Sequence, residues 1–252
     1  MQHYYRTVAE QEYSDEPNIK VREELAEQLL VRQFLDVKSA GFFVEVGAND
    51  PFKMSQTWHL AQKGWKGILV EPIPELCQEL RGKRKDSIVI EAACGAPSDP
   101  SSATFTIAKD CGKSTLSSSF LDSKENVASH IKVNVQTLNQ ILSSEMVGNI
   151  DFVSIDVEGT QHNVLRGFDL QRWRPRLLLV EDHLLDTKTH RLILSQQYQL
   201  VKRTLFNNWY IPSGETAPIT CKMEDRLLRW KLRRIPLRNI RFRLRKLFGR
   251  GL

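Results

Sequence analysis

Three apolar runs in this 252-residue chain each end in an acid. They are Phe42-Phe43-Val44-Glu45-Val46-Gly47-Ala48-Asn49-Asp50, Gly67-Ile68-Leu69-Val70-Glu71-Pro72 and Ile150-Asp151-Phe152-Val153-Ser154-Ile155-Asp156-Val157-Glu158-Gly159. Carboxylates at such positions can accept hydrogen bonds from a diol, meet an ammonium group or take up a proton. Glu71 lies 24 residues after Gly47. It suits a ribose diol, because a carboxylate accepts two hydrogen bonds side by side. Glu45 suits an ammonium, and Gly47 leaves room for a ligand tail. Asp156 can touch a cofactor or orient an acceptor, and Glu158 can bind acceptor hydroxyls or pair with a cation. His183 follows another aliphatic run and is the candidate general base, since its ordinary pKa of about 6.5 fits that work. Its bland alternative is a histidine bonded to nearby backbone.

Near-continuous aliphatic runs that end in acids are how buried parallel strands read when they deliver a site at their C-terminal ends. The rest of the chain supplies the partners such strands need. Residues 21–37 repeat apolar positions at helical spacing. Trp58–Gly64 reads as a helix end stopped by Gly64. Residues 74–84 read as a helix, 87–92 as a third strand and 103–107 as a short extra one. Residues 108–130 read as a long polar loop, with Ser114–Ser119 either a lid or a solvated linker. Residues 135–142 read as a short helix, 151–155 and 176–181 as strands, 184–197 as helix and 198–211 as a terminal hairpin. Residues 1–20 read as polar and loose. Trp58, Trp65, Trp173 and Phe168 read as packing residues. The alternation predicts an α/β fold, a doubly wound and mostly parallel sheet with its ligand crevice at the strand-order switch.

A dinucleotide site needs a glycine-rich turn that lets backbone approach a pyrophosphate. The first turn here, Gly47-Ala48-Asn49-Asp50-Pro51, has one glycine. The residues therefore favour S-adenosylmethionine, which carries no phosphate, over NAD. The cofactor-binding set is Glu45, Gly47, Asn49, Glu71 and Asp156, and the catalytic set is His183, Asp156 and Glu158. Magnesium at Asp156, Asp182 and His183 is an alternative. That ion prefers all-oxygen ligands, so no metal ligand is assigned.

These segments, with Val135-Gln136-Thr137-Leu138, Val164-Leu165-Arg166-Gly167 and Glu181-Asp182-His183, resemble the FkbM family of S-adenosylmethionine-dependent methyltransferases over roughly residues 40–185. The resemblance implies a class I Rossmann-like methyltransferase acting on a hydroxyl of a sugar, glycan or similar natural product; the alternative is a non-catalytic membrane- or nucleic-acid-binding adapter on the same fold. The run Asp50-Pro51-Phe52-Lys53 departs from the family's usual small residue after the turn.

Charge is unevenly distributed. Residues 226–252 hold 11 Arg or Lys and no acid, so residues 1–225, with 25 basic and 30 acidic residues, carry a net charge of −5. Leu, Ile, Trp and Phe recur among the basic residues of 226–252, and Pro236 divides the pattern. A basic amphipathic tail of this kind suits an anionic membrane surface better than nucleic acid, and docking on the protein itself is a third use. Three regions follow: a helical lead-in (1–40), the methyltransferase domain (41–211) and the basic tail (212–252). The four scattered cysteines show neither C-x-x-C nor zinc spacing. The first residues have no apolar leader core and no apolar run spans a bilayer. The expected location is cytoplasmic, peripheral at the inner membrane face. Oligomeric state is not specified by these residues.

Overall fold

The computed structural model describes residues 4–37, 40–117, 126–182, 187–216 and 222–235. In chain order the elements are α1 (Tyr4–Glu12), α2 (Ile19–Leu35), β1 (Phe42–Val46), α3 (Trp58–Ala61), β2 (Lys66–Glu71), α4 (Pro74–Lys83), β3 (Ser87–Glu91), β4 (Ala93–Cys94), β5 (Ser102–Ala108), β6 (Val127–Gln136), α5 (Leu138–Ser144), β7 (Phe152–Ile155), α6 (Gln161–Arg166), α7 (Leu170–Trp173), β8 (Leu177–Glu181), α8 (Lys188–Ser195), β9 (Tyr198–Thr204), β10 (Asn207–Pro212) and α9 (Lys222–Arg233).

Seven strands form the central sheet in the order β3-β2-β1-β7-β8-β10-β9. The first five are parallel, and β10 enters antiparallel between β8 and β9. The chain builds outward from β1 on one side and then crosses to β7 on the other. The strand order therefore reverses between β1 and β7, and a crevice opens there beyond their C-terminal ends. Each face of the sheet carries its own core. One holds Leu138, Ile141, Val164, Leu165, Leu170 and Ile193 from α5 to α8. The other holds Val8, Ala26, Leu30, Leu60 and Leu80 from α1 to α4. This is the Rossmann-like, doubly wound architecture that the run pattern predicts. Strands buried on both faces have no solvent side, which is why they read as aliphatic runs.

Two expectations are corrected. Residues 4–12 are helical rather than loose, because Val8 and Ala9 are buried against α2 and Arg6 pairs with Glu23 at 2.9 Å. The stretch assigned to a polar loop ends in a ten-residue strand, and the helix expected at 135 begins at Leu138. β6 pairs antiparallel with β5 and parallel with β4, making a small second sheet. Half of its residues are exposed and only Val133 is buried, so the apolar positions Val127, Ile131, Val133 and Val135 mark the alternation weakly. Thr137 then opens α5 with a reciprocal cap, its hydroxyl accepting from the Gln140 amide while the Gln140 side chain accepts from the Thr137 amide. Trp65, Trp173 and Phe168 are buried packing residues, as expected.

Candidate active site

The first turn is shaped by one close approach. Gly47 has φ +86°, and a Cβ there would sit 1.8 Å from the Asp156 carbonyl oxygen. Only glycine lets the ends of β1 and β7 come this close. The Gly47 and Ala48 amides then donate to the Val70 carbonyl at 2.9 and 3.2 Å. The Asn49 amide donates to Glu71 Oε2 at 2.9 Å, and the Ile73 amide to Glu71 Oε1 at 3.0 Å. Two backbone amides thus fix the Glu71 carboxylate, and each oxygen keeps a further lone pair. Burial pushes the Glu71 carboxyl up to about 7, against the two amides, which lower it.

Gly47, Asn49, Glu71, Asp156 and Glu158 all line one cleft of about 530 Å³, counted to its open mouth. Val46, Val70, Ile73 and Phe105 give it apolar walls. A few polar groups converging in a mostly apolar cleft is the usual form of a small-molecule site. The Asn49 side-chain oxygen is buried and has no hydrogen-bond partner among the described residues.

Beyond the end of β7 the environment differs. Asp156 lies on the cleft floor, open to solvent on one side. Its carboxyl is pushed well above the ordinary range, first by the surrounding protein, then by a hydrogen bond and repulsion from Glu181 and by the charge of Glu158. Burial and the charge of Glu181 push Glu158 up to about 7, against an opposing pull from Lys113. The backbone turns sharply here, with φ +48° at Glu158 and +101° at Gly159. Asp156, Glu158 and Glu181 bring carboxylate oxygens within 4.8 Å of one another, a spacing that one cation can bridge. Glu181 ends β8 beside Asp156 because Ile155 pairs with Val180. Its place follows from two acids ending adjacent strands, a signal that single-residue reading overlooks.

The second sheet covers the cleft. Phe105, Gly112, Ser114 and Leu116 line it from that side. Ser114 Oγ accepts from the Ala108 amide at 3.1 Å, and Thr115 Oγ1 donates to the Glu158 carbonyl at 2.8 Å. Residues 114–116 therefore sit over the site; residues 118–125 lie outside the described residues.

Glu45 is not brought into the cleft. It shares a strand face with Phe43, which packs on the α1–α4 side. Its carboxylate accepts from the Gln56 amide at 2.7 Å, Thr57 Oγ1 at 2.5 Å and Ser55 Oγ at 3.0 Å. Arg84 completes this cluster, donating to the Pro51 carbonyl, Ser55 Oγ and Thr57 Oγ1. Its guanidinium lies 5.3 Å from the Trp58 ring centroid. Glu45 and Arg84 together brace the loop that carries Gly47 and Asn49. Burial raises the Glu45 carboxyl while Thr57 and Arg84 hold it down. His183 lies outside the described residues. Asp182 is placed by its amide, which donates to the Phe206 carbonyl at 3.1 Å.

No curated protein matches the chain by sequence. Among solved structures it is similar to the N-terminal domain of human METTL16 in complex with SAH (10% identity, TM-score 0.42, covering 75% of this chain and 69% of that one). It is also similar to precorrin-6y C5,15-methyltransferase from Geobacter metallireducens (10%, 0.39, 73% and 85%). A third is a SAM-dependent methyltransferase of Leishmania major (12%, 0.37, 82% and 79%). The model of the methyltransferase FkbM domain matches residues 45–200. That span is more than half of the chain and takes in the Gly47 turn, Glu71 and all three clustered carboxylates, and the chain belongs to the FkbM methyltransferase family.

Proposed function

We propose that this chain is an S-adenosylmethionine-dependent methyltransferase that methylates a hydroxyl oxygen on a sugar, glycan or similar natural product. The observation that carries the reading is Glu71, held by the Asn49 and Ile73 amides with lone pairs left for the cleft. A cis-diol is the natural occupant of such a carboxylate. The cleft also fits the cofactor in what it lacks. The Asp156 carbonyl occupies the space beside Gly47, and a single glycine offers no cradle for a pyrophosphate. Gly47 and Asn49 line the place for the methionine tail, and Glu71 the place for the ribose. The family assignment supports the same class of reaction.

When bound, the cofactor would supply an electrophilic methyl group. The protein's part is to align an acceptor oxygen, exclude water and take its proton. Asp156 and Glu158 face the cleft, and Glu158 is poised near neutrality. They are placed to hold acceptor hydroxyls. His183, just past β8, is the proposed base. Glu45 and Arg84 act through the loop they brace. Membrane contact through the basic tail would bring such an enzyme to a lipid-linked acceptor at a cytoplasmic membrane face.

The test is calorimetric titration with S-adenosylhomocysteine, followed by labelled methyl transfer to hydroxylated acceptors. Binding near 1 μM, about −8 kcal/mol, that collapses in Glu71→Ala supports the reading. No binding to the unaltered chain removes it.

A further inference from the structure

Helix α9 has two unlike faces. Toward the edge strand β9, Glu224 meets Lys202 at 2.7 Å, with side chains only 6% and 3% exposed. Leu228, one turn on, is buried, and so is Ile235 just past the helix end. Positions 224 and 228 fall on one helical stripe, so this face is committed to packing. A buried ion pair works in one geometry only, and it sets the rotation of α9 about its axis.

The opposite stripe is cationic. Arg226, Arg229, Arg233 and Arg234 are exposed, and Trp230 among them is 58% exposed. The Arg234 guanidinium lies 4.3 Å from the centre of the Trp230 ring. Residues 226–252 contain no Asp or Glu. Among the described residues no helix is long and apolar enough to cross a membrane.

We propose that the stripe Arg226, Arg229, Trp230, Arg233 and Arg234 is a docking surface for an anionic lipid bilayer. The inference stands on α9 itself; the methyl-transfer reading only says what the docking serves. Four arginines along about two turns of one helix face offer guanidinium forks to a plane of headgroup phosphates. Trp230 suits the interfacial layer, where one end of an indole is wet and the other apolar. The chain continues in the same character, with Leu237, Ile240, Phe242, Leu244 and Leu247 set among basic residues. Interleaved aliphatics favour lipid over nucleic acid, whose phosphates call for cations alone. The expectation from sequence is also sharpened. The apolar side of this helix is spent on β9, so the segment holds a membrane by charge and one indole rather than by inserting an apolar face.

The experiment is co-sedimentation of the full chain with phosphatidylcholine vesicles, and with vesicles containing about one-third phosphatidylglycerol. The unaltered chain should sediment with the anionic vesicles only. Each arginine is worth roughly fivefold in partitioning. Reversing all four (Arg226→Glu, Arg229→Glu, Arg233→Glu, Arg234→Glu) should therefore bring binding down to the neutral-vesicle level. Trp230→Ala should weaken it severalfold. Unchanged S-adenosylhomocysteine affinity and melting temperature show that the variants fold, and a chain that binds vesicles but not this ligand separates failure of the methyl-transfer reading from failure of this one. A chain lacking 236–252 should keep a measurable preference for anionic vesicles. Three results overturn the proposal: full binding by the charge-reversed variant, loss of all binding when 236–252 alone are removed, or a stripe-dependent grip on duplex nucleic acid with none on vesicles.

Discussion

The two walls of the cleft are built from the same kind of residue and behave in opposite ways. On the β1–β2 wall, each buried carboxylate is met by donors. Glu71, in the cleft, has two backbone amides, and Glu45, behind this wall on the α1–α4 side, has an amide and two hydroxyls. On the β7–β8 wall, Asp156, Glu158 and Glu181 face chiefly one another. The first wall is finished before any ligand arrives, which is what a fixed cofactor subsite needs. The second wall is left electrostatically incomplete. Like charges at this distance favour a shared proton, or an incoming group that can donate to them. The difference teaches that acidic strand ends alone do not specify a role; the donors around them do.

The largest effect should come from forcing the two walls apart. Gly47→Ala places a Cβ against the Asp156 carbonyl in a left-handed backbone conformation. Nothing soft is available to move, so we expect about 4 kcal/mol of lost stability and no measurable S-adenosylhomocysteine binding. A normal melting curve with normal affinity would show that β1 and β7 are not locked at this point. Next in size is Glu71→Ala. It removes the finished wall's main acceptor and should cost about 3 kcal/mol of binding, roughly a hundredfold in Kd, with little change in melting temperature. An unchanged Kd by calorimetry would move the cofactor off this wall.

The contrast also explains what was legible in the sequence. β1, β2, β7 and β8 were readable because burial on both faces leaves an aliphatic run, and Gly47, Asn49, Glu71, Asp156 and Glu158 followed as the residues at their ends. The place of Glu45 is not legible in the run, because it depends on which side of β1 the side chain points to. That is settled by the alternation that puts Phe43 and Glu45 together on the α1–α4 face. Arg84 carried no signal at all; it reaches the loop across 33 residues of chain. α1 carries little signal because, among its described side chains, only Val8 and Ala9 are buried, so its helicity comes from docking rather than from an amphipathic pattern. β6 was hidden because a half-exposed ribbon shows too few apolar positions to mark its period.

Asp156→Asn separates the walls by function. If the β7–β8 wall serves the acceptor, turnover should fall at least about tenfold, or roughly 1.4 kcal/mol, while S-adenosylhomocysteine affinity stays within about threefold. A matched loss in both quantities would instead make Asp156 part of the cofactor subsite, and the two walls would no longer divide the work.

The mildest test reads the second wall through stability. An unperturbed glutamate titrates near 4.5, whereas Glu158 in the fold is pushed up to about 7 by burial and by Glu181. Between those values the folded chain keeps a proton that the unfolded chain has released, so this group's contribution falls as pH rises through the window and is flat above it. Glu27 and Glu71, also raised to about 7 by burial, act with the same sign. His59 acts oppositely, since burial holds it down to about 3 and stability drains as pH falls below 6.5. The difference between Glu158→Gln and the unaltered chain cancels those shared backgrounds. The variant should match the unaltered chain in stability near pH 4 and be the more stable by about 1 kcal/mol at pH 8, once solvent screening is allowed for. A difference curve that stays flat from pH 5 to 8 would mean that the carboxylates of this wall are already satisfied by donors, as those of the first wall are.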